Sequence, residues 1–326
     1  MEKKNLMIVG CGGIGSRHLQ SLCKIDIPVN LFAIDINEQS LNAIKKLVDE
    51  IQNSNIQLIF SQEFPNNIDT IDLCIIATSS NIRLDILKKL SKTYSIKNII
   101  LEKVLFQSIE QFDEAKNIIS ENKINCWVNC PRREDDCWKE MKKILSKYSN
   151  LKLYYGNSDW NMCCNSIHMI DLALWLFGDK IKHIDNSKLD DKIYDSKRKG
   201  FIEMTGILTG TFENGCIFQL ESTFGVPRKK AIFEISNDLI KLIVNEYEGK
   251  GILYKKENNW TPEEYDFHRL LQSEKTHLIA KKILNNGCCN LPTIDESIEL
   301  HKPMIQCFLD HLNKISDSKH DFCPIT

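Results

Sequence analysis

The segment Met7-Ile-Val-Gly-Cys-Gly-Gly-Ile-Gly-Ser-Arg-His18 sets a short apolar run directly against a glycine loop, Gly10-x-Gly12-x-x-Gly15. This order is restrictive because each glycine answers a different steric demand. Gly10 permits a tight turn after a strand, Gly12 lets backbone approach a pyrophosphate, and Gly15 lets the next helix pack closely. Gly13 and Ile14 complete a loop whose amides, with the positive end of the helix dipole, face the phosphates. An ordinary strand-to-helix turn also uses glycines, so the downstream sequence matters. Leu31-Phe-Ala-Ile-Asp35 reads as a second strand ending in a carboxylate. It lies about twenty residues past the loop, where an acid accepts from adenosine ribose hydroxyls. Asp35 repels a 2′-phosphate, and Ile36 and Asn37 offer no arginine to bind one. The sequence therefore predicts NAD rather than NADP.

Apolar runs at Leu6 to Val9, Leu31 to Ile34, Gln57 to Phe60, Ile71 to Ala77 and Asn98 to Leu101 alternate with helical segments such as Ser40 to Glu50 and Ile82 to Ser91. That alternation predicts a doubly wound parallel sheet, a Rossmann domain over residues 1–123. From residue 124 to 326 the pattern changes to an α+β domain. It opens with a strand Asn125 to Asn129 and a helix from about Arg133 to Lys147. Extended segments at Phe201 to Phe212, Cys216 to Phe224, Ala231 to Ile235 and Leu239 to Asn245 then predict an open, largely antiparallel sheet. A late helix over 294–312 is placed so that it can return to the first domain.

Lys and Arg total 42 against 44 Asp and Glu, with no basic block of the kind that tracks a phosphate backbone, so nucleic acid is not an expected partner. The polar start Met1-Glu-Lys-Lys-Asn5 and the short, glycine-broken apolar run after it predict neither a leader nor a membrane segment, and hence a cytoplasmic location. Thirteen cysteines, an odd number without a Cys-x-x-Cys pair, predict neither a disulfide framework nor a metal centre.

Ligands of open parallel sheets bind beyond the strands' carboxyl ends. Ile75-Ile-Ala-Thr-Ser-Ser-Asn81 ends one strand in small residues. Ala77, Thr78, Ser79 and Asn81 line the cofactor, or Ser80 or Asn81 serves as a helix N-cap, and the two roles can coexist. Ile99-Ile-Leu-Glu-Lys103 ends the next strand in charge. Lys103 either joins a surface ion pair or donates to a substrate hydroxyl and stabilises negative charge there. In Trp160-Asn-Met-Cys-Cys-Asn-Ser-Ile-His-Met-Ile-Asp171, Asn165 or Ser166 can cap a helix, and His168 and Asp171 fall three apart on one face. That pair is either a core histidine held by an aspartate or a base for a hydroxyl proton.

Taken in order, Gly-x-Gly-Gly-Ile-Gly-x-x-His18, Ala77-Thr-Ser, Glu102-Lys103, Arg132-Arg133 and His168-x-x-Asp171 resemble the Gfo/Idh/MocA oxidoreductases across nearly the whole chain. The resemblance implies hydride transfer between NAD and a sugar or cyclitol hydroxyl. It makes Lys103, His168 and Asp171 the catalytic set and puts Glu102 and Lys103 at the coenzyme. It places the substrate among Lys103, Arg132, Arg133, Trp160, Asn165 and His168, and implies a homodimer or homotetramer through the exposed sheet face. Residues 160–172 and Leu291-Pro-Thr-Ile-Asp-Glu-Ser297 are similar to a branch associated with bacterial surface-sugar synthesis. A sugar acid, amino sugar or nucleotide sugar is then the expected substrate, with Arg132 or Arg133 gripping a carboxylate or phosphate.

Four positions depart from the family pattern. Val104 replaces a proline, so the cis Lys-Pro peptide that aims the lysine is expected to be absent, since a non-proline cis bond costs about 2.5–4 kcal/mol. Cys164 replaces an aspartate, Ser79 a proline and Arg83 a frequent histidine. Two other readings stand beside a dehydrogenase: an epimerase, lyase or glycosidase working by transient oxidation with retained NAD, and a non-catalytic dinucleotide-binding sensor or scaffold.

Overall fold

In the computed structural model, which describes residues 3–225 and 231–326, the early apolar runs become strands of one parallel sheet. They are β1 (Lys4–Val9), β2 (Val29–Ile34), β3 (Ile56–Ser61), β4 (Leu73–Ile76), β5 (Asn98–Leu101) and β6 (Asn125–Val128). Their order is β3-β2-β1-β4-β5-β6, and every pairing is parallel. The strand order reverses between β1 and β4, so the switch point at the carboxyl end of β1 is where the glycine loop begins. Register sets Leu6 beside Leu31 and Leu73, and Ile8 beside Ala33 and Ile75. These residues share a core with Leu19 and Leu22 of α1 (Gly13–Leu22). Each buried aliphatic side chain there contributes roughly 1.5–3 kcal/mol. The helix α2 (Glu38–Val48) starts where Asn37 accepts from the amides of Gln39 and Ser40, and α3 (Ser80–Thr93) and α4 (Ile109–Glu121) follow β4 and β5.

The chain divides into two units. The first comprises Met1–Phe106, Glu110–Asn129 and Leu270–Ile294. Two sequence expectations are corrected here. The strand assigned to the start of the second domain is β6 of the first sheet, pairing Ile99 with Cys126 and Ile100 with Trp127. It is only four residues long, too short for its apolar pattern to mark it as the next member of the alternation. The segment that rejoins the first unit is also not the late helix but Leu270–Ile294. Its helix Gln272–Asn286 inserts Ile279, Ala280 and Ile283 into the first core, and Val128 donates to the Pro292 carbonyl.

The second unit comprises Gln107–Ile109, Cys130–Arg269 and Asp295–Thr326. Its strands are β7 (Lys152–Ser158), β8 (Ile181–Asp195), β9 (Ile202–Phe212), β10 (Ile217–Thr223), β11 (Ile232–Ser236), β12 (Ile240–Asn245), β13 (Lys250–Lys255) and β14 (Glu263–Asp266). They form one sheet in the order β8-β9-β10-β7-β11-β12-β13-β14, in which only β10 and β7 run parallel. The edge strand β8 was not legible because its charged residues and register shifts break any alternation. The late helix, Ile294–Ile315, lies along β8: Asn186 donates to the Cys307 carbonyl and His311 Nε2 sits 3.0 Å from the Asp190 carbonyl. Instead of one helix from Arg133, a short 3-10 turn at Pro131–Glu134 precedes α5 (Asp136–Leu145), with Asp135 extended between them. The helix α6 (Met162–Phe177) starts after Asn161 in a left-handed conformation. Among the described residues, no helix is long and apolar enough to cross a membrane.

Candidate functional site

The glycine loop of the first unit has the shape that a dinucleotide requires. Gly10 has φ +91°, and a Cβ on Gly15 would lie 1.8 Å from the Gly10 carbonyl oxygen, so neither position tolerates a side chain. A Cβ on Gly12 or Gly13 would meet nothing within 4 Å, which leaves the amide face of the loop open for a ligand. Asp35 closes the far side. Its Oδ2 accepts from the Cys11 amide at 2.6 Å and its Oδ1 from the Asn37 amide at 2.8 Å. Each carboxylate oxygen keeps a further lone pair for a ribose hydroxyl. Burial, and then the charge of Asp35, push the Cys11 thiol up to about 12, so it stays protonated and takes no part in thiolate chemistry. These features fit a nicotinamide dinucleotide, whose diphosphate the loop amides would hold and whose adenosine ribose Asp35 would receive.

The loop after β4 presses on the same turn: a Cβ on Gly10 would lie 2.9 Å from the Thr78 nitrogen and 3.0 Å from the Ala77 carbonyl carbon. Ser79, not Ser80 or Asn81, is the residue at the α3 N-cap, and its hydroxyl donates to Asn81 Oδ1 at 2.7 Å instead of capping the helix.

Beyond β5, Glu102 is buried and fully engaged. Its Oε1 receives His18 Nε2 at 2.9 Å and the Asn129 amide, and its Oε2 receives the Lys103 amide at 3.2 Å. Burial raises the Glu102 carboxyl, but the His18 hydrogen bond and charge, the Lys103 ammonium and Asn129 outweigh it and hold it below the ordinary carboxylate range. Glu102 is thus a buried anchor beside Lys103. On the other side of the ring, His18 Nδ1 lies 2.9 Å from the Thr276 hydroxyl, and Gln272 bonds both Thr276 and Asn129. Sequence reasoning missed Asn129, Gln272 and Thr276. The only local signal was the four-residue spacing of Gln272 and Thr276 on one helix face. Lys103 itself is half-buried, and the Lys103–Val104 peptide is cis, contrary to the expectation drawn from the missing proline.

In the second unit, both arginines are committed to internal acids. Arg132 forms a bidentate pair with Glu246 at 2.9 and 2.8 Å, and Arg269 reaches Glu246 at 3.0 Å and Asp135 at 2.9 Å. Arg133 grips Asp171 through Nε at 3.1 Å and Nη2 at 2.7 Å, with Glu296 at 3.1 Å on Nη1. Burial pushes the Asp171 carboxyl up to about 6 while Arg133 pulls against it, which leaves an ion pair at neutral pH. The expectations for these residues are corrected accordingly. Asp171 spends its carboxylate on Arg133 and not on His168, and neither arginine holds its fork free for an anion. Short-range helix spacing suggested the wrong partner because Arg133 lies 38 residues away in the chain.

Trp160 and Asn165 also turn inward. The indole N–H donates to the Glu221 carbonyl at 3.0 Å, and the Asn165 amide donates to the Trp160 carbonyl at 2.7 Å. Ser166 donates to Met162 within α6, so neither Asn165 nor Ser166 is the cap. His168 is half-buried on the same helix.

No family model and no curated protein sequence matches the chain. Solved structures do. An oxidoreductase from Agrobacterium radiobacter in complex with NAD+, L-tartaric acid and magnesium superposes with TM-score 0.74 at 12% identity, covering 96% of this chain and 97% of that one. UDP-N-acetylglucosamine 3-dehydrogenase GnnA from Acidithiobacillus ferrooxidans gives 0.68 at 13% identity, covering 94% and 96%. A super-repressor mutant of Gal80p from Saccharomyces cerevisiae gives 0.72 at 14% identity, covering 97% and 100%. At such identities the likeness is one of fold, and that fold serves proteins described as oxidoreductases and one described as a repressor.

Proposed function

We propose that this protein is an NAD-dependent oxidoreductase that moves a hydride between the coenzyme and a secondary alcohol of a sugar or nucleotide sugar. The observation that carries the proposal is the open amide face at Gly12 and Gly13 with Asp35 fixed beside it by the Cys11 amide. A carboxylate so anchored cannot swing away from a 2′-phosphate, which supports NAD over NADP. The likeness of fold to a nucleotide-sugar dehydrogenase supports the substrate class.

When bound, the nicotinamide supplies the hydride donor or acceptor. The chain's residues supply the rest. Loop amides hold the diphosphate, and Asp35 accepts from the ribose. Lys103 donates to the substrate oxygen, stabilising the negative charge that builds there, and His168 takes up the hydroxyl proton. Asp171 and Arg133 act through their pairing, which ties the middle of α6 to the 3-10 turn at Pro131–Glu134. Because both arginines are neutralised by Glu246, Asp171 and Glu296, the reacting end of the substrate is read through neutral hydroxyls and not through an anion. A place in surface-polysaccharide synthesis follows from the sequence resemblance, as does association of copies through the sheet face that exposes Ile232 and Ile243.

The test is calorimetry of the purified, ligand-stripped protein with NAD and NADP, followed by absorbance at the reduced-nicotinamide band with UDP-N-acetylglucosamine and other surface-sugar precursors. Heat with NAD and net NADH production support the reading. Absence of heat with either coenzyme overturns it. The match to a repressor and the thiol of Cys164 in place of an acid favour a sensor as the second reading. Bound NAD with no turnover of any precursor is its signature.

A further inference from the structure

We propose that Arg83 is a positioning residue that ties the loop after β4 to the turn after β5 and so fixes the main chain that carries Lys103. The inference rests on the reading of Lys103 given above. Arg83 is only 1% exposed, in the first turns of α3. One guanidinium spans both loops: Nη2 donates to the Thr78 carbonyl, and Nη1 donates to the Val104 carbonyl and, at 2.8 Å, to the Leu105 carbonyl.

Several observations argue for a geometric purpose. A cation near a helix N-terminus opposes the helix dipole, so α3 gains nothing electrostatically from Arg83. Val104, Leu105 and Phe106 are fully buried after the chain has left the sheet ladder. Their carbonyls need donors that the sheet no longer provides, and Arg83 is the donor for two of them. The loop it grips on the other side, at Thr78, is the one that presses on Gly10. A single planar fork thereby sets the spacing between the coenzyme loop and the lysine turn. Lysine cannot reproduce this, because its donors radiate from one point whereas the guanidinium distributes them across a plane.

The experiment compares the full-length protein with Arg83→Lys, which keeps the charge and loses the fork. Hydrogen exchange read by mass spectrometry is expected to rise at least tenfold at residues 103–107 and less than twofold along β2. NADH should bind the variant within threefold of the wild-type Kd, yet protect Lys103 from acetylation by an N-hydroxysuccinimide ester at least tenfold less well. Unchanged exchange at 103–107 in a folded variant overturns the proposal, and so does a uniform rise across the sheet. If Arg83→Lys does not fold, Arg83→Gln is read the same way. Failure of both to fold makes Arg83 a residue of the global fold and also overturns the local role. If wild type binds no NADH, the coenzyme reading fails while the exchange measurement still decides the clamp.

Discussion

His18 Nε2 lies 2.9 Å from Glu102 Oε1, and both side chains are almost sealed from solvent. The ring comes from the helix that follows the glycine loop and the carboxylate from the strand end beside Lys103, so one hydrogen bond links the two. Glu102 Oε1 accepts from Nε2, and on the other side of the ring Nδ1 lies 2.9 Å from the Thr276 hydroxyl. Removing the ring strands a buried carboxylate, at a cost of about 3–5 kcal/mol. His18→Leu is therefore expected to lower the unfolding free energy by that order in urea titration, and His18→Leu with Glu102→Leu to recover part of it. Equal losses in the single and double variants would count against the pairing.

Asp35 is the predicted discriminator between coenzymes. Its anchoring by the Cys11 and Asn37 amides means that Asp35→Ser removes the charge facing a 2′-phosphate and also loosens the loop. Combined with Ile36→Arg, at a position 84% exposed and able to reach solvent-side phosphate, it should weaken NAD at least tenfold and strengthen NADP at least tenfold. Calorimetry with both coenzymes checks this, and an unchanged ratio would place the ribose elsewhere.

The coenzyme half of this design was legible because its determinants are local. Gly10, Gly12 and Gly15 sit in one loop, and Asp35 is found by counting to the end of the next strand. The extended segments of the second sheet were legible by alternation. Long-range polar pairing was not. Nothing in the sequence near His18 announces Glu102, and nothing near Arg133 announces Asp171, because such partners are chosen by topology and by the need to neutralise buried charge. The four residues of β6 carried too weak a pattern to be assigned to the first sheet, and the return of Leu270–Ile294 left no mark beyond an amphipathic helix.

Lys103 and His168 carry the proposed chemistry. Lys103→Met keeps the length of the side chain and removes its charge, and His168→Ala removes the base. Each is expected to cut the rate of NADH formation by 10²–10⁴-fold on whichever sugar the wild type accepts. Coenzyme Kd should stay within threefold. If both variants turn over at the wild-type rate, the assignments fail. A matching loss of coenzyme affinity would make the effect one of binding.

Glu246 gives a prediction about acid. Burial works against its charge, but Arg132 and Arg269 outweigh burial and bring the carboxyl down to about 2 from an ordinary 4.5. An acid whose folded value lies below its unfolded one stabilises fully above the unfolded value, and that stabilisation is lost as pH falls toward the folded value. For Glu246 the window runs from about 4.5 down to about 2, and the contribution at neutral pH is about 3 kcal/mol. Glu246→Gln should lower stability at pH 7, since Arg132 then loses its bidentate partner, and should flatten the decline between pH 4.5 and pH 2. Urea unfolding at several pH values measures both effects. Parallel curves for the two proteins would show that another carboxylate governs the acid limb.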